Sequence, residues 1–182
     1  MSIHLTLLFL LASWVSYTEA LCVLTTSLCD PTWASGSNQT FTYVIVGQPQ
    51  NTNQVQINSY WGGGNYACLG AVNTTSLELS QNNCYSSTNS YWTYGPGDIS
   101  TFVYFQHQNT GLCLTYPGAG LLTLQPCQAP NYPDSQLWIE PPTTSDPYRR
   151  ILSKYQYYPN PSEWECMTRV NPNDPQNQLP CQ

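Results

Sequence analysis

Residues 111–138 read GLCLTYPGAGLLTLQPCQAPNYPDSQLW, and this stretch decides the fold. It opens on Leu112-Cys113-Leu114, breaks at a Pro-Gly-Ala-Gly turn, resumes as an apolar run from Leu122 to Cys127, and closes on Gln136-Leu137-Trp138. Two short β-prone runs split by turn residues make a hairpin. The same punctuation recurs on both sides. Upstream, YACLGAVNTTSLELSQNNCYSSTNSYW carries Cys68, Cys84 and Trp92; downstream, WECMTRVNPNDPQNQLPC carries Cys166 and Cys181 and stops before a tryptophan. The missing end lies at the front of the chain, where LTTSLCDPTW supplies Cys29 and Trp33. Within each copy the cysteines stand 16, 14 and 15 residues apart, and each copy follows an apolar or alternating run: VQINSY, TFVYFQ and ILSKYQYY. Such a period identifies a repeat architecture. A small β unit cannot bury its own apolar face, so three copies must share one core.

Composition narrows the class further. Only 8% of the 182 residues are charged, against about 25% in an ordinary domain, and the formal net charge is −6. Asn, Gln, Ser, Thr, Pro and aromatic residues fill the difference, among them Tyr 14 and Trp 6. Four scattered Lys and Arg cannot form the cationic surface that phosphate backbones require, so a nucleic-acid partner is excluded. There is no sustained helical period, whereas strand-length runs such as FTYVIV are plain.

The first twenty residues have the build of a secretory signal peptide, an apolar stretch from Leu5 to Val15 leading to small residues near Ala20. A membrane anchor is the competing reading, but a span needs about 20 apolar residues and this run is shorter. The expected organisation is therefore a leader over 1–20 and one domain over 21–182, secreted and without a membrane span. In an oxidising compartment eight cysteines, all after the leader, form a disulfide framework. No CxxC or HxxxH spacing occurs, so neither a metal nor any other cofactor is expected. The sequons at Asn38 and Asn73 mark expected glycosylation sites.

The order Leu-Cys-Leu, an apolar strand ending in a second Cys, then Gln-x-Trp resembles the ricin-type β-trefoil, the fold of ricin B-chain lectin domains. Leu112-Cys113-Leu114, Cys127 and Gln136-Leu137-Trp138 carry the best match; the unit at Cys68 keeps Cys84 and Trp92 but has Ser90 in place of the glutamine. The resemblance implies an all-β fold, a single disulfide-stabilised β-trefoil of three pseudo-symmetric repeats, here permuted so that the chain begins late in the third unit and ends in its middle. It also implies within-repeat bridges Cys68–Cys84 and Cys113–Cys127. The other four cysteines pair either as Cys166–Cys181 with Cys22–Cys29, or as Cys29–Cys166 with Cys22–Cys181. The second map is favoured if LTTSL is extended, since about 3.3 Å per residue holds Cys22 and Cys29 too far apart to bridge.

The family's galactose pocket uses an Asp two residues after the first Cys, an aromatic platform two before the second, and an Asn-Gln pair beside the tryptophan. Here the Asp places hold Gly70, Thr115 and Thr168, the platform places Asn82, Gln125 and either Ser27 or Leu179, and no unit keeps the full set. Gln136 is read chiefly as a turn-holding side chain and Trp33, Trp92 and Trp138 as core. The remaining carbohydrate candidates are Tyr116 with Asp134, Gln136 in its lesser reading, and the run Tyr155 to Trp164, whose tyrosines would otherwise pack inward from a strand. Trp61, beside Gly62-Gly63-Gly64, is another candidate for exposure.

Catalysis is not expected. Only His107 remains after the leader, in a QHQN stretch read as surface, and Glu163 and Glu165, though close, belong to no recognisable motif. Two functions remain: a carbohydrate-binding lectin whose partner is a glycan or extracellular glycoprotein, or a protein-binding or inhibitory module that has lost its sugar sites.

Overall fold

A computed structural model describes residues 22–29, 39, 41–46, 53–60, 66–73, 76–97, 102–139, 151–156 and 165–170. The expected leader 1–20, Trp33, Asn38, Trp61, Trp164, Leu179 and Cys181 lie outside them.

The described chain is all-β with only single-turn helices between strands. Strands β1 (Val23–Leu28), β2 (Phe41–Ile45), β3 (Gln54–Tyr60), β4 (Tyr66–Ala71), β5 (Leu77–Ser80), β6 (Trp92–Pro96), β7 (Phe102–His107), β8 (Leu112–Thr115), β9 (Thr123–Pro126), β10 (Trp138–Ile139), β11 (Leu152–Ser153) and β12 (Glu165–Val170) form one nearly closed, barrel-like antiparallel sheet. Each run named from the sequence becomes a strand, except that ILSKYQYY is a strand only over Leu152–Ser153 and then turns through one 3-10 turn at Lys154–Gln156.

The pairing repeats with the sequence. β3 pairs with the preceding β2, with its hairpin partner β4 and with β6; β7 pairs with the preceding β6, with β8 and with β10. β11 pairs likewise with β10 and β12. Registers match as well, with the first cysteine of each unit opposite Asn58, Gln106 and Leu152 respectively. Three residues before Asn58 and Gln106, Val55 faces Trp92 and Val103 faces Trp138. β1 closes a hairpin-like pair with β12 and reaches the other units through bridges Cys22–Leu79 and Thr25–Leu121.

The core is one cluster in which Trp92, Trp138, Phe41, Phe105, Ile57, Leu69, Leu79, Leu114 and Ile151 are fully buried. Alternation explains how strands reach it. Along β7, Phe105 and His107 point inward while Tyr104 and Gln106 point out. The sequence reading of His107 as a surface residue is corrected here. Its ring is buried edge-on to Trp92 at 5.1 Å, Nε2 is 2.9 Å from the Asn89 carbonyl, and the Thr110 backbone N–H donates to Nδ1. Nδ1 therefore accepts and Nε2–H donates, which fixes a neutral tautomer. Burial lowers the His107 pKa below its ordinary 6.5, and the Asn89 bond opposes this only in part.

The unfolded chain takes up a proton near pH 6.5 while the folded chain resists it until lower pH, so this residue's contribution to stability is intact above 6.5 and declines as pH falls through that value. Urea titrations from pH 8 to pH 4 are expected to show a stability slope at most about 1.4 kcal/mol per pH unit steeper in the native protein than in His107→Gln. Equal slopes would mean the proton is tolerated in the fold.

Three bridges close the described frame: Cys29–Cys166, Cys68–Cys84 and Cys113–Cys127. The first rules out the map that joined Cys166 to Cys181, and β1 is the extended strand that makes Cys22–Cys29 geometrically untenable. Cys22 is itself disulfide-bonded; its expected partner, Cys181, lies outside the described residues.

Candidate functional site

The positions that the resemblance assigns to a sugar pocket are closed from within in the second unit. Gln136 is buried; its Nε2 donates to the Pro126 carbonyl at 2.9 Å and to Thr115 Oγ1 at 3.2 Å, while its Oε1 accepts the Gln128 N–H. Thr115 stands where the Asp would be, is itself buried, and donates to the Cys113 carbonyl. Thus the Thr115 and Gln136 side chains are bonded to each other, and Gln136 ties the Pro126 and Gln128 backbone together.

The same arrangement appears where the sequence reading did not look. Gln39 is buried and its Nε2 donates to the Leu28 carbonyl at 2.9 Å and to Thr168 Oγ1 at 3.1 Å, and Thr168 donates to the Cys166 carbonyl. Leu28 and Pro126 each precede the second cysteine of their unit, and Thr168 and Thr115 each follow the first by two residues. Gln39-Thr40-Phe41 is therefore the third unit's counterpart of Gln136-Leu137-Trp138, a place the sequence reading gave to Trp33. Phe41 is fully buried. The signal was Gln-x-aromatic in NQTF, obscured because the reading required tryptophan.

The first unit reaches the same end by different residues. Gln56 donates to Ser90 Oγ and to the Cys84 carbonyl, supplying the amide that Ser90 lacks. Gly70, at the threonine place, lets the Asn83 amide lie against the backbone; a Cβ there would fall 2.4 Å from Asn83 Nδ2. In the first and second units the indole N–H of Trp92 donates to the Leu69 carbonyl and that of Trp138 to the Leu114 carbonyl, each one residue after the first cysteine.

What stays accessible is a patch beside the β8–β9 turn. Tyr116, a sequence candidate for sugar contact, is instead only 4% exposed and belongs to the core cluster; its backbone N–H bonds to the Ser135 carbonyl. Its hydroxyl donates to the Gly118 carbonyl at 3.0 Å, with Glu165 Oε2 3.5 Å away. Glu165 Oε2 also accepts from Thr26 Oγ1. Tyr155 stands edge-on against Tyr116 at 5.7 Å and is 53% exposed. Gly118, at φ +94, carries the turn close past the Tyr155 hydroxyl in a conformation that favours glycine.

Lys154 links the remaining member. Its ammonium is 3.0 Å from Asp134 Oδ1 and lies 4.7 Å over the Phe102 ring, while the Asp134 side chain is 59% exposed. The structure thus gathers Tyr116, Asp134, Tyr155 and Glu165 into one region. An exposed phenol ring offers an apolar face, and flanking carboxylates accept hydrogen bonds from hydroxyl groups, the pairing of groups that polyhydroxylated rings match. Among the described residues no three His, Cys, Asp or Glu side chains stand close enough to hold a metal ion, and no helix is long and apolar enough to cross a membrane.

No protein-family model matches the chain, and no curated protein matches it.

Proposed function

We propose that this chain is a secreted, divergent ricin-type β-trefoil of permuted repeat order that binds carbohydrate without catalysing a reaction. The fold reading is supported by the repeated strand pairing and by the two Gln–Thr pairs, Gln136–Thr115 and Gln39–Thr168, at matching places. Secretion is supported by the disulfide frame, which persists in oxidising compartments. Asn73 is exposed in the turn after β4, where a sequon asparagine can accept a glycan.

The observation that carries the sugar reading is Tyr155, an exposed aromatic residue braced edge-on by buried Tyr116, with Glu165 at the Tyr116 hydroxyl and Asp134 tied to the preceding Lys154. Bracing matters because a platform already ordered loses little entropy on binding. The ligand would lie on this patch and not in the family's pocket, which Thr115 and Gln136 fill. Tyr155→Ala is expected to weaken glycan binding at this patch at least about tenfold, which is about 1.4 kcal/mol, while leaving the melting temperature near the native value. Glycan arrays followed by free-sugar competition make the measurement. A blank array across galactosides, chitin fragments and anionic glycans overturns the lectin reading.

The closed pockets, together with exposed Tyr85 and Leu121, favour the second reading, a protein-binding or inhibitory module. Such a protein would pull down an extracellular partner with no competition from sugar.

A further inference from the structure

The outward face of β6 and β7 carries an aromatic pair that the Tyr155 patch does not use. Tyr104 lies beside Gly95, its register partner on β6, so closely that a Cβ on Gly95 would fall 2.7 Å from the Tyr104 hydroxyl and 2.9 Å from its ring carbons. Glycine is needed there for space, so that the ring can lie flat against the neighbouring strand. Tyr132 stacks on this ring, with centroids 4.5 Å apart and planes only 11° from parallel. Both rings are half-buried. The result is a two-ring stack on a strand, with Tyr132 as its outer layer.

The described groups beside the stack along β6 and β7 are amides and hydroxyls, and Asp134, tied to Lys154, stands two residues after Tyr132. Gln106 follows Tyr104 by one strand repeat, about 7 Å along the same face, opposite Thr93 on β6, and the Gln108 amide reaches Thr93 Oγ1. Gln106 is held by a bond from its Nε2 to the Gly111 carbonyl. Asn131, beside Tyr132 in the chain, is exposed. Burial and the adjacent Tyr104 phenol hold the Tyr132 phenol above its ordinary pKa, so Tyr132 stays uncharged at physiological pH.

We infer that the Tyr132–Tyr104 stack is a second glycan platform, taking the apolar C–H face of a neutral pyranose on Tyr132 with hydroxyls toward the Asn131, Gln106 and Thr93 groups. This rests on the carbohydrate-binding reading and adds valency to it. Two weak sites on one molecule raise avidity for a branched or clustered glycan without any new contact. Along β6 and β7 amides and a hydroxyl line this platform, where the Tyr155 patch has Glu165 at the Tyr116 hydroxyl.

The test titrates the full-length oxidised protein with lactose and with chitotriose by calorimetry, alongside Tyr155→Ala, Tyr132→Ala, Tyr132→Phe and Gly95→Ala. Tyr155→Ala is expected to retain binding at half the native stoichiometry. Adding Tyr132→Ala to it should reduce the remaining affinity at least tenfold, whereas Tyr132→Phe, which keeps the ring, stays within twofold. Gly95→Ala should weaken the same site by tilting Tyr104, although it removes no surface group; unchanged melting temperatures show that the loop has not simply come loose. If Tyr155→Ala alone abolishes binding, or Tyr132→Ala changes nothing in that background, the second platform is wrong and the lectin reading stands. If the native protein binds neither sugar nor any array glycan, both fall together.

Discussion

Trp138→Ala is expected to cost about 3–5 kcal/mol of stability, the range for truncating a buried aromatic side chain. Few single changes in this chain should cost more. Trp138 is fully buried, pairs across the sheet with Val103, and donates its indole N–H to the Leu114 carbonyl, so truncation both opens a cavity and leaves a buried acceptor without its donor. Domains of this kind are stable by about 5–15 kcal/mol in total, and the variant would sit near the margin of folding. Trp92 holds the equivalent place, with the same register against Val55 and the same bond to Leu69, so Trp92→Ala should lose a similar amount. Urea denaturation of both variants gives the comparison. A loss below about 1 kcal/mol in either would contradict the shared-core architecture, because the tryptophans would then not be its central members.

Removing the Cys29–Cys166 bridge by a double serine substitution is the second large effect. The chain-entropy account makes a bridge worth more as the loop it closes lengthens, about 3 kcal/mol for a 15-residue loop and nearly 5 for one of 100. Cys113–Cys127 spans 14 residues and Cys29–Cys166 spans 137. Taken alone, then, Cys29–Cys166 should cost about 5 kcal/mol and Cys113–Cys127 about 3. A bridge from Cys22 to Cys181 would already tie the same two ends, shortening the loop that Cys29–Cys166 closes and pulling its cost down toward the smaller figure. Denaturation of the two double variants therefore also reads the pairing of Cys22: a gap of about 2 kcal/mol between them argues against a second tie between the ends. Near-equal losses support Cys22–Cys181.

The candidate sites show where residue pattern stops being informative. Tyr116 and Tyr155 look alike in the chain, each a tyrosine next to turn residues, yet one is buried and the other presents its ring to solvent. The difference is tertiary: Tyr116 packs into the core cluster, where its backbone meets Ser135 nineteen positions away, and Tyr155 lies edge-on against it at the surface. Asp134 was legible as a polar residue before a Gln-x-Trp, but its tie to Lys154 was not, because the two meet only when β10 and β11 pair. His107 was misjudged for a similar reason. QHQN is polar in sequence, but the alternation of β7 turns the imidazole inward while both neighbours face out or lie exposed.

The β class, the strand runs and the repeat were legible in the residues alone, because strand alternation, turn residues and cysteine spacing are local properties that survive without knowledge of the fold; the bridges Cys68–Cys84 and Cys113–Cys127 came from the family resemblance. The sequence also placed Trp92 and Trp138 in the core, since large aromatics at matching places in a repeat have few alternatives to burial. It took the tertiary structure to show that Gln39 meets Thr168 as Gln136 meets Thr115, that Phe41 joins the core, and that Tyr104 and Tyr132 stack. Each of these depends on which side chains meet across strands distant in the chain, and burial, once strands pair, is set by those neighbours and not by a residue's own polarity.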